Sequence, residues 1–84
     1  MENIVEEVKQ IIEKYAYDKK LVKESTTESK IISDLKINSA RIVDIILDLE
    51  EKYDIMIEDS VLEKLKTIND IVQLIQTKLK NKSI

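Results

Sequence analysis

The sequence contains no glycine, proline, cysteine, histidine, phenylalanine or tryptophan. Glycine and proline supply the backbone conformations of most tight turns, so β-hairpins are not expected. Without cysteine and histidine the chain can form no disulfide and no thiolate or imidazole metal site. It also has no cysteine nucleophile and no histidine base for catalysis. These absences favour an all-helical protein and make an enzyme the least favoured class.

Membrane and targeting signals are absent too. No hydrophobic run approaches the ~20 residues that span a bilayer. The first residues are acidic and amphipathic, unlike a signal or transit peptide, and the lack of cysteine suits the cytosol. With 84 residues and no internal repeat, we expect one domain over 1–84, monomeric and cytoplasmic, without membrane insertion.

The charge is unevenly distributed along the chain. The net charge is −3, but residues 44–63 contain eight acidic residues and one basic residue, a local charge of −7, while the remainder carries +4. An acidic patch of this kind predicts a partner with a basic surface and argues against nucleic acid binding.

Hydrophobic periodicity predicts three longer helices, over about 3–15, 39–52 and 67–82, and one short helix over 59–65. Asn3 is the expected N-cap of the first helix, and Thr67 with Asp70 resembles a capping box at the start of the last. Residues 17–36 show no clean period and are expected to be a long loop between the first two long helices.

The second long helix, over about 39–52, carries an acidic stripe. At 100° per residue, Asp44, Asp48 and Glu51 share one face, flanked by Arg41 and Lys52. The stripe could bind a basic partner. Alternatively it is an ordinary solvated face in which Arg41 and Lys52 pair with Asp44 and Asp48.

Residues 34–40 read Asp-Leu-Lys-Ile-Asn-Ser-Ala and resemble the Asp-Leu-Gly-x-Asp-Ser-Leu signature of acyl carrier proteins. Residues 49–53, Leu-Glu-Glu-Lys-Tyr, are similar to the family's Leu-Glu-Glu-x-Phe. Residues 66–72 are similar to its Thr-Val-x-Asp-hydrophobic pair. The matches run without a gap over roughly 34–75. The resemblance implies a four-helix acyl-carrier bundle with three longer helices, one short helix and a long first loop.

The resemblance further implies that a phosphopantetheinyl transferase moves 4′-phosphopantetheine from coenzyme A to Ser39. The arm would then carry acyl intermediates as thioesters to acyl-transferring and condensing enzymes with basic docking patches, in fatty-acid, polyketide or related biosynthesis. A serine at the start of a helix suits this role, because unpaired backbone N–H groups and the helix dipole favour a phosphate there. The transferase would supply the base and the Mg²⁺.

Three positions depart from the family signature. Lys36 replaces its glycine, Asn38 its aspartate and Ala40 its leucine. In the family the aspartate assists modification, whereas Asn38 keeps a helix cap but loses the charge. The departures would therefore also suit an unmodified helical adaptor in which Ser39 is an ordinary N-cap residue.

Two further groups of side chains follow from the resemblance. Residues expected to meet partner enzymes are Ala40, Arg41, Asp44, Asp48 and Glu51. Residues expected to line an acyl cavity are Ile42, Ile46, Leu47, Ile57 and Leu62. A peptidyl or D-alanyl carrier protein remains an alternative, since such carriers share the serine but have a less acidic second helix. No metal site is expected, and Glu58 with Asp59 is favoured as a helix start over a divalent-ion site.

Overall fold

The computed structural model describes residues 3–82, which form five α-helices. The helices are α1 (Ile4–Tyr15), α2 (Lys19–Lys23), α3 (Arg41–Tyr53), α4 (Asp59–Leu62) and α5 (Ile68–Lys82). The prediction of an all-helical protein with three longer helices is confirmed. Among residues 3–82, no helix is both long and apolar enough to cross a membrane.

α1 is the central element of the packing, because it contacts α2, α3 and α5. Asn3 caps it as predicted: its side-chain oxygen accepts the backbone N–H of Glu6 at 3.2 Å. The core that α1 helps to form is almost entirely aliphatic. Its fully buried side chains are Val8, Ile12, Val22, Ile31, Leu35, Ile37, Ile45, Leu49, Ile68, Ile71 and Ile75.

The connection between α1 and α3 is more ordered than the sequence predicts. It contains the short helix α2 and is bonded to the start of α5 further along. The N–H of Ile31 donates to the carbonyl of Lys66 at 2.9 Å, and the N–H of Asn69 donates to the carbonyl of Thr27 at 2.8 Å. Buried side chains within the connection, including Ile31, anchor it to the core. These contacts explain how a long connection stays in a defined path.

The start of α5 is the predicted capping box. The hydroxyl oxygen of Thr67 accepts the N–H of Asp70 at 3.1 Å, and the Asp70 carboxylate accepts the N–H of Thr67 at 3.0 Å. The same carboxylate oxygen also accepts the N–H of Lys66 at 2.9 Å. The backbone bond from Thr67 is the main reason that the pKa of Asp70 is lowered.

Lys36 adopts a left-handed backbone conformation, with φ of 57°. This conformation is unfavourable for a residue with a Cβ atom and is readily adopted by glycine. The neighbours of Lys36 on both sides, Leu35 and Ile37, are buried, so their packing holds the backbone in this form. The left-handed turn accounts for the glycine that the similar family signature has at this position.

We expect Lys36→Gly to raise the free energy of unfolding by about 0.5–1 kcal/mol, because glycine relieves the left-handed strain and loses only part of that gain to its greater freedom in the unfolded chain. Urea unfolding followed by circular dichroism measures the change. Lys36→Ala is the control, since it removes the charge but keeps a Cβ atom. An equal gain in both variants would assign the effect to charge and contradict the backbone explanation.

The capping box predicts a pH-dependent contribution to stability. Because the folded-state pKa of Asp70 lies below its ordinary value, its contribution is fully present above the ordinary pKa and is lost as the pH falls through the folded-state pKa. We expect Asp70→Ala to lower the free energy of unfolding by about 1 kcal/mol at pH 7 and to differ less from the wild type as the pH falls below about 4.

Urea unfolding at a series of pH values measures this difference. Glu28→Gln is the matched control: Glu28 is exposed, and its carboxylate has no hydrogen bond within residues 3–81. A difference between Asp70→Ala and the wild type that is the same at pH 7 and pH 3 would contradict the assignment.

Candidate functional site

Ser39 lies in the turn immediately before α3, and its side chain is exposed. Within the described part of the chain, no hydrogen bond engages its hydroxyl. The helix begins at Arg41 instead of at Ser39 because Asn38 builds a turn in front of it. The Asn38 side-chain oxygen accepts the N–H of Ala40 at 2.9 Å, and its carbonyl accepts the N–H of Arg41 at 2.8 Å. Ser39 is thus held at the tip of this turn with its hydroxyl available.

The backbone donors near Ser39 differ from the sequence-based expectation. The sequence predicts unpaired N–H groups that favour a phosphate, but the N–H groups of Ala40 and Arg41 donate to Asn38, and that of Ile42 donates to the Ser39 carbonyl at 3.2 Å. That expectation is wrong for these three groups, because the local turns already satisfy them. The positive end of the α3 dipole remains at Ser39 and still favours an anion there.

The acidic stripe on α3 is largely paired within the protein. Arg41 and Asp44 form an ion pair at 3.2 Å, as one of the two interpretations of the sequence predicts. Asp48 does not pair with Lys52. It accepts hydrogen bonds from the Lys14 ammonium at 2.9 Å and from the Tyr15 hydroxyl at 2.7 Å.

These bonds perturb the titration of all three groups. The Lys14 bond, followed by the Tyr15 bond, lowers the pKa of Asp48. The bond to Asp48 in turn raises the pKa of both Lys14 and Tyr15. Sequence reasoning did not connect Lys14 and Tyr15 to the stripe, because their contact with Asp48 depends on how α1 crosses α3. Of the three predicted acids, Glu51 is exposed and makes no ion pair within residues 3–81.

Apolar side chains are exposed on α3 beside these acids. Val43 is 51% exposed and Leu47 is 53% exposed. Val43 and Leu47 are four residues apart and therefore lie along one side of α3, and Ser39 lies in the turn four residues before Val43. Ala40 is exposed next to Ser39. This side of the molecule therefore combines the free serine hydroxyl, two apolar side chains and the neighbouring acids.

An apolar pocket of about 320 Å³ opens between the segment before α3, the first turn of α3 and the end of α4. Its size is at the lower end of the ~300–1,000 Å³ found for small-molecule sites. Ile42, whose N–H is bonded to the Ser39 carbonyl, connects the pocket to the serine. The lining residues are Lys30, Ile32, Ser33, Ile42, Leu62, Glu63, Leu65 and Lys66.

The structure brings only some of the predicted cavity residues to this pocket. Ile42 and Leu62 line it. Ile46 and Ile57 are buried in the core and do not line it, and Leu47 lies on the exposed side of α3. Leu47 differs from the expectation because the side of α3 on which it lies faces away from the core that Ile45, Ile46 and Leu49 build.

The chain is similar in sequence to a known protein family and to several known proteins. The sequence profile of the phosphopantetheine attachment site family matches residues 6–75, from α1 into α5. The acyl carrier protein of Thermotoga maritima is 40% identical over 79 residues, which cover 93% of this chain and 94% of that protein. That of Campylobacter lari is 42% identical over 87% of this chain and 92% of its own length. That of an Exiguobacterium species is 45% identical over 69% and 73%.

The turn that presents Ser39 predicts how substitutions of Asn38 affect stability. We expect Asn38→Ala to lower the free energy of unfolding by about 1 kcal/mol, because the N–H of Ala40 loses its acceptor at the start of a helix. Asn38→Asp keeps the acceptor and adds a charge that suits the positive end of α3, so it should be at least as stable as the wild type. Urea unfolding compares the three proteins. Equal loss of stability in both variants would mean that the side-chain acceptor does not hold the turn.

Proposed function

The chain belongs to the acyl carrier protein family, whose members carry a covalently attached 4′-phosphopantetheine, and we propose that Ser39 is the residue that bears the arm. The observation that carries this proposal is the position of Ser39. It is exposed at the tip of the turn before α3, and no hydrogen bond within the described residues engages its hydroxyl. A transferase needs access to such a hydroxyl.

The group transfer requires little of this chain beyond that access. The Ser39 oxygen forms a bond to the phosphorus of the pantetheine phosphate of coenzyme A, while the bond from that phosphorus to 3′,5′-adenosine bisphosphate breaks. The hydroxyl proton passes to a base on the transferase, since this chain has no histidine to accept it. The arm ends in a thiol that holds acyl groups as thioesters. The positive end of α3 stabilises the negative phosphodiester on Ser39.

We further propose that partner enzymes dock on the side of α3 that follows Ser39. Val43 and Leu47 are half-exposed there and offer apolar contact, while Asp44 and Glu51 offer charge to a basic patch. Apolar anchors supply most of the binding energy in such interfaces, whereas charges mainly raise the association rate and fix the orientation. Ala40 and Arg41 lie next to the attachment point and would meet the same partners.

The apolar pocket beside Ile42 is the proposed place for the carried acyl group. Its lining includes Ile42, in the first turn of α3, whose N–H donates to the Ser39 carbonyl. Its lining includes the aliphatic side chains of Ile42 and Leu62, which suit an alkyl chain more than a polar one. On this basis, an acyl group of a fatty-acid or polyketide pathway is favoured over an aminoacyl group.

We propose that the protein acts as a carrier and not as an enzyme. We propose one carrier domain over 1–84, working in the cytosol with a phosphopantetheinyl transferase and acyl-transferring enzymes. The substitution of Asn38 for the family's aspartate keeps a second candidate in view, an adaptor that never receives the arm. The bond from Ala40 to Asn38 favours the carrier, because the turn that presents Ser39 is maintained without the aspartate.

Mass spectrometry of the purified protein tests the attachment. After incubation with coenzyme A, Mg²⁺ and a promiscuous phosphopantetheinyl transferase, we expect the wild type to gain the mass of one arm and Ser39→Ala to gain none. Ser60→Ala is the matched control, because Ser60 is also exposed at a helix start and should leave the mass gain unchanged. No gain in the wild type with several transferases would favour the adaptor, and a gain in Ser39→Ala would move the attachment elsewhere.

A further inference from the structure

Asp48 is held by two donors from another helix. Lys14 and Tyr15, at the end of α1, donate to the same carboxylate oxygen of Asp48, at 2.9 and 2.7 Å. The Asp48 side chain is only 22% exposed, whereas that of Lys14 is 61% exposed. An approaching molecule therefore meets the ammonium of Lys14 more readily than the carboxylate of Asp48.

The pair formed by Arg41 and Asp44 is different in kind. Both residues lie on α3, three positions apart, and both side chains are well exposed, at 58% and 41%. An exposed pair of this type is readily rearranged when a partner approaches. The pair between Lys14 and Asp48, in contrast, joins two helices, and the Tyr15 hydroxyl donates to the same Asp48 oxygen.

Resting on the proposed function, we propose that Lys14 is a specificity-determining residue for docking: it keeps Asp48 paired within the protein and so weakens capture by partners with broad basic patches. The acidic stripe is thereby divided. Asp44 and Glu51 remain reachable at its two ends, while its middle presents a lysine. A fitting partner places cationic groups opposite those two acids and no cation opposite Lys14.

This role concerns association and specificity more than stability. Surface ion pairs contribute little to folding, but a cation placed among acids changes the field that a charged partner meets. Removing Lys14 leaves the Asp48 carboxylate bonded to Tyr15 yet without a compensating charge. The local potential then becomes more negative, and a basic partner should associate faster.

Transfer kinetics provide the test. We expect Lys14→Met to raise kcat/KM for arm transfer by a basic-patch phosphopantetheinyl transferase about twofold to fivefold at low salt, through KM more than kcat, and to lose this gain in 0.5 M salt. Lys20→Met is the matched control. It makes the same change in net charge at an exposed position of α2, where no bond or ion pair within the described residues joins the Lys20 side chain to α3.

Two further variants show whether the effect acts through Asp48. Lys14→Arg keeps the positive charge and should behave as the wild type. In an Asp48→Asn background, Lys14→Met should give a smaller gain than in the wild-type background, because the Asp48 carboxylate that it exposes is absent and only the remaining acids, such as Glu51, lose their nearby cation. Circular dichroism checks that every variant is folded.

NMR titration of the Asp48 carboxyl carbon measures the ion pair independently of the kinetics. Lys14→Met should raise the pKa of Asp48, and Lys20→Met should not. Equal kinetic gains in Lys14→Met and Lys20→Met, or an undiminished gain in the Asp48→Asn background, would overturn the proposal while leaving arm transfer intact. Failure of the proposed function looks different: the wild type itself receives no arm, while the titration still reports the pair between Lys14 and Asp48.

Discussion

The position of Ser39 depends on the burial of two side chains, Leu35 and Ile37, on either side of a left-handed Lys36. Burial of each aliphatic side chain contributes about 1.5–3 kcal/mol, more than the ~1–2 kcal/mol that a left-handed lysine costs. The free energy gained by burying the two apolar side chains therefore outweighs the backbone cost at Lys36 and decides the path of the chain. With the chain fixed at Ile37, the Asn38 turn follows directly, and Ser39 is directed to solvent instead of into the core.

The features that the sequence predicts well are those governed by neighbours along the chain. The cap at Asn3, the capping box of Thr67 and Asp70, and the apolar faces of α1 and α5 all depend on residues within one or two turns. α3 begins at Arg41, two residues later than the sequence predicts, because Asn38, rather than Ser39, supplies the turn that precedes it. Both residues are favourable caps, so propensity alone does not decide between them.

Contacts between distant segments could not be predicted in this way. Helical spacing identifies the acidic stripe, yet the charge of Asp48 is compensated by Lys14 on another helix, more than 30 positions earlier in the chain. Periodicity predicts which face of a helix a residue occupies. It does not predict which other helix packs against that face, nor at which position along the helix the two make contact. A charge count along the sequence is therefore an upper bound on the charge that α3 presents to a partner.

The composition of the core bears on how such a protein could admit an acyl chain. The buried side chains of residues 3–81 are aliphatic apart from Tyr53, and none of the buried residues there is charged. Moving the pocket-lining side chains of Ile42 or Leu62 aside to deepen the pocket would thus break no buried ion pair, and the lost contacts could be replaced by those of an alkyl chain. Branched aliphatic side chains without large rings can repack in small steps. The scarcity of aromatic residues therefore leaves a core that can adjust its packing around an alkyl chain.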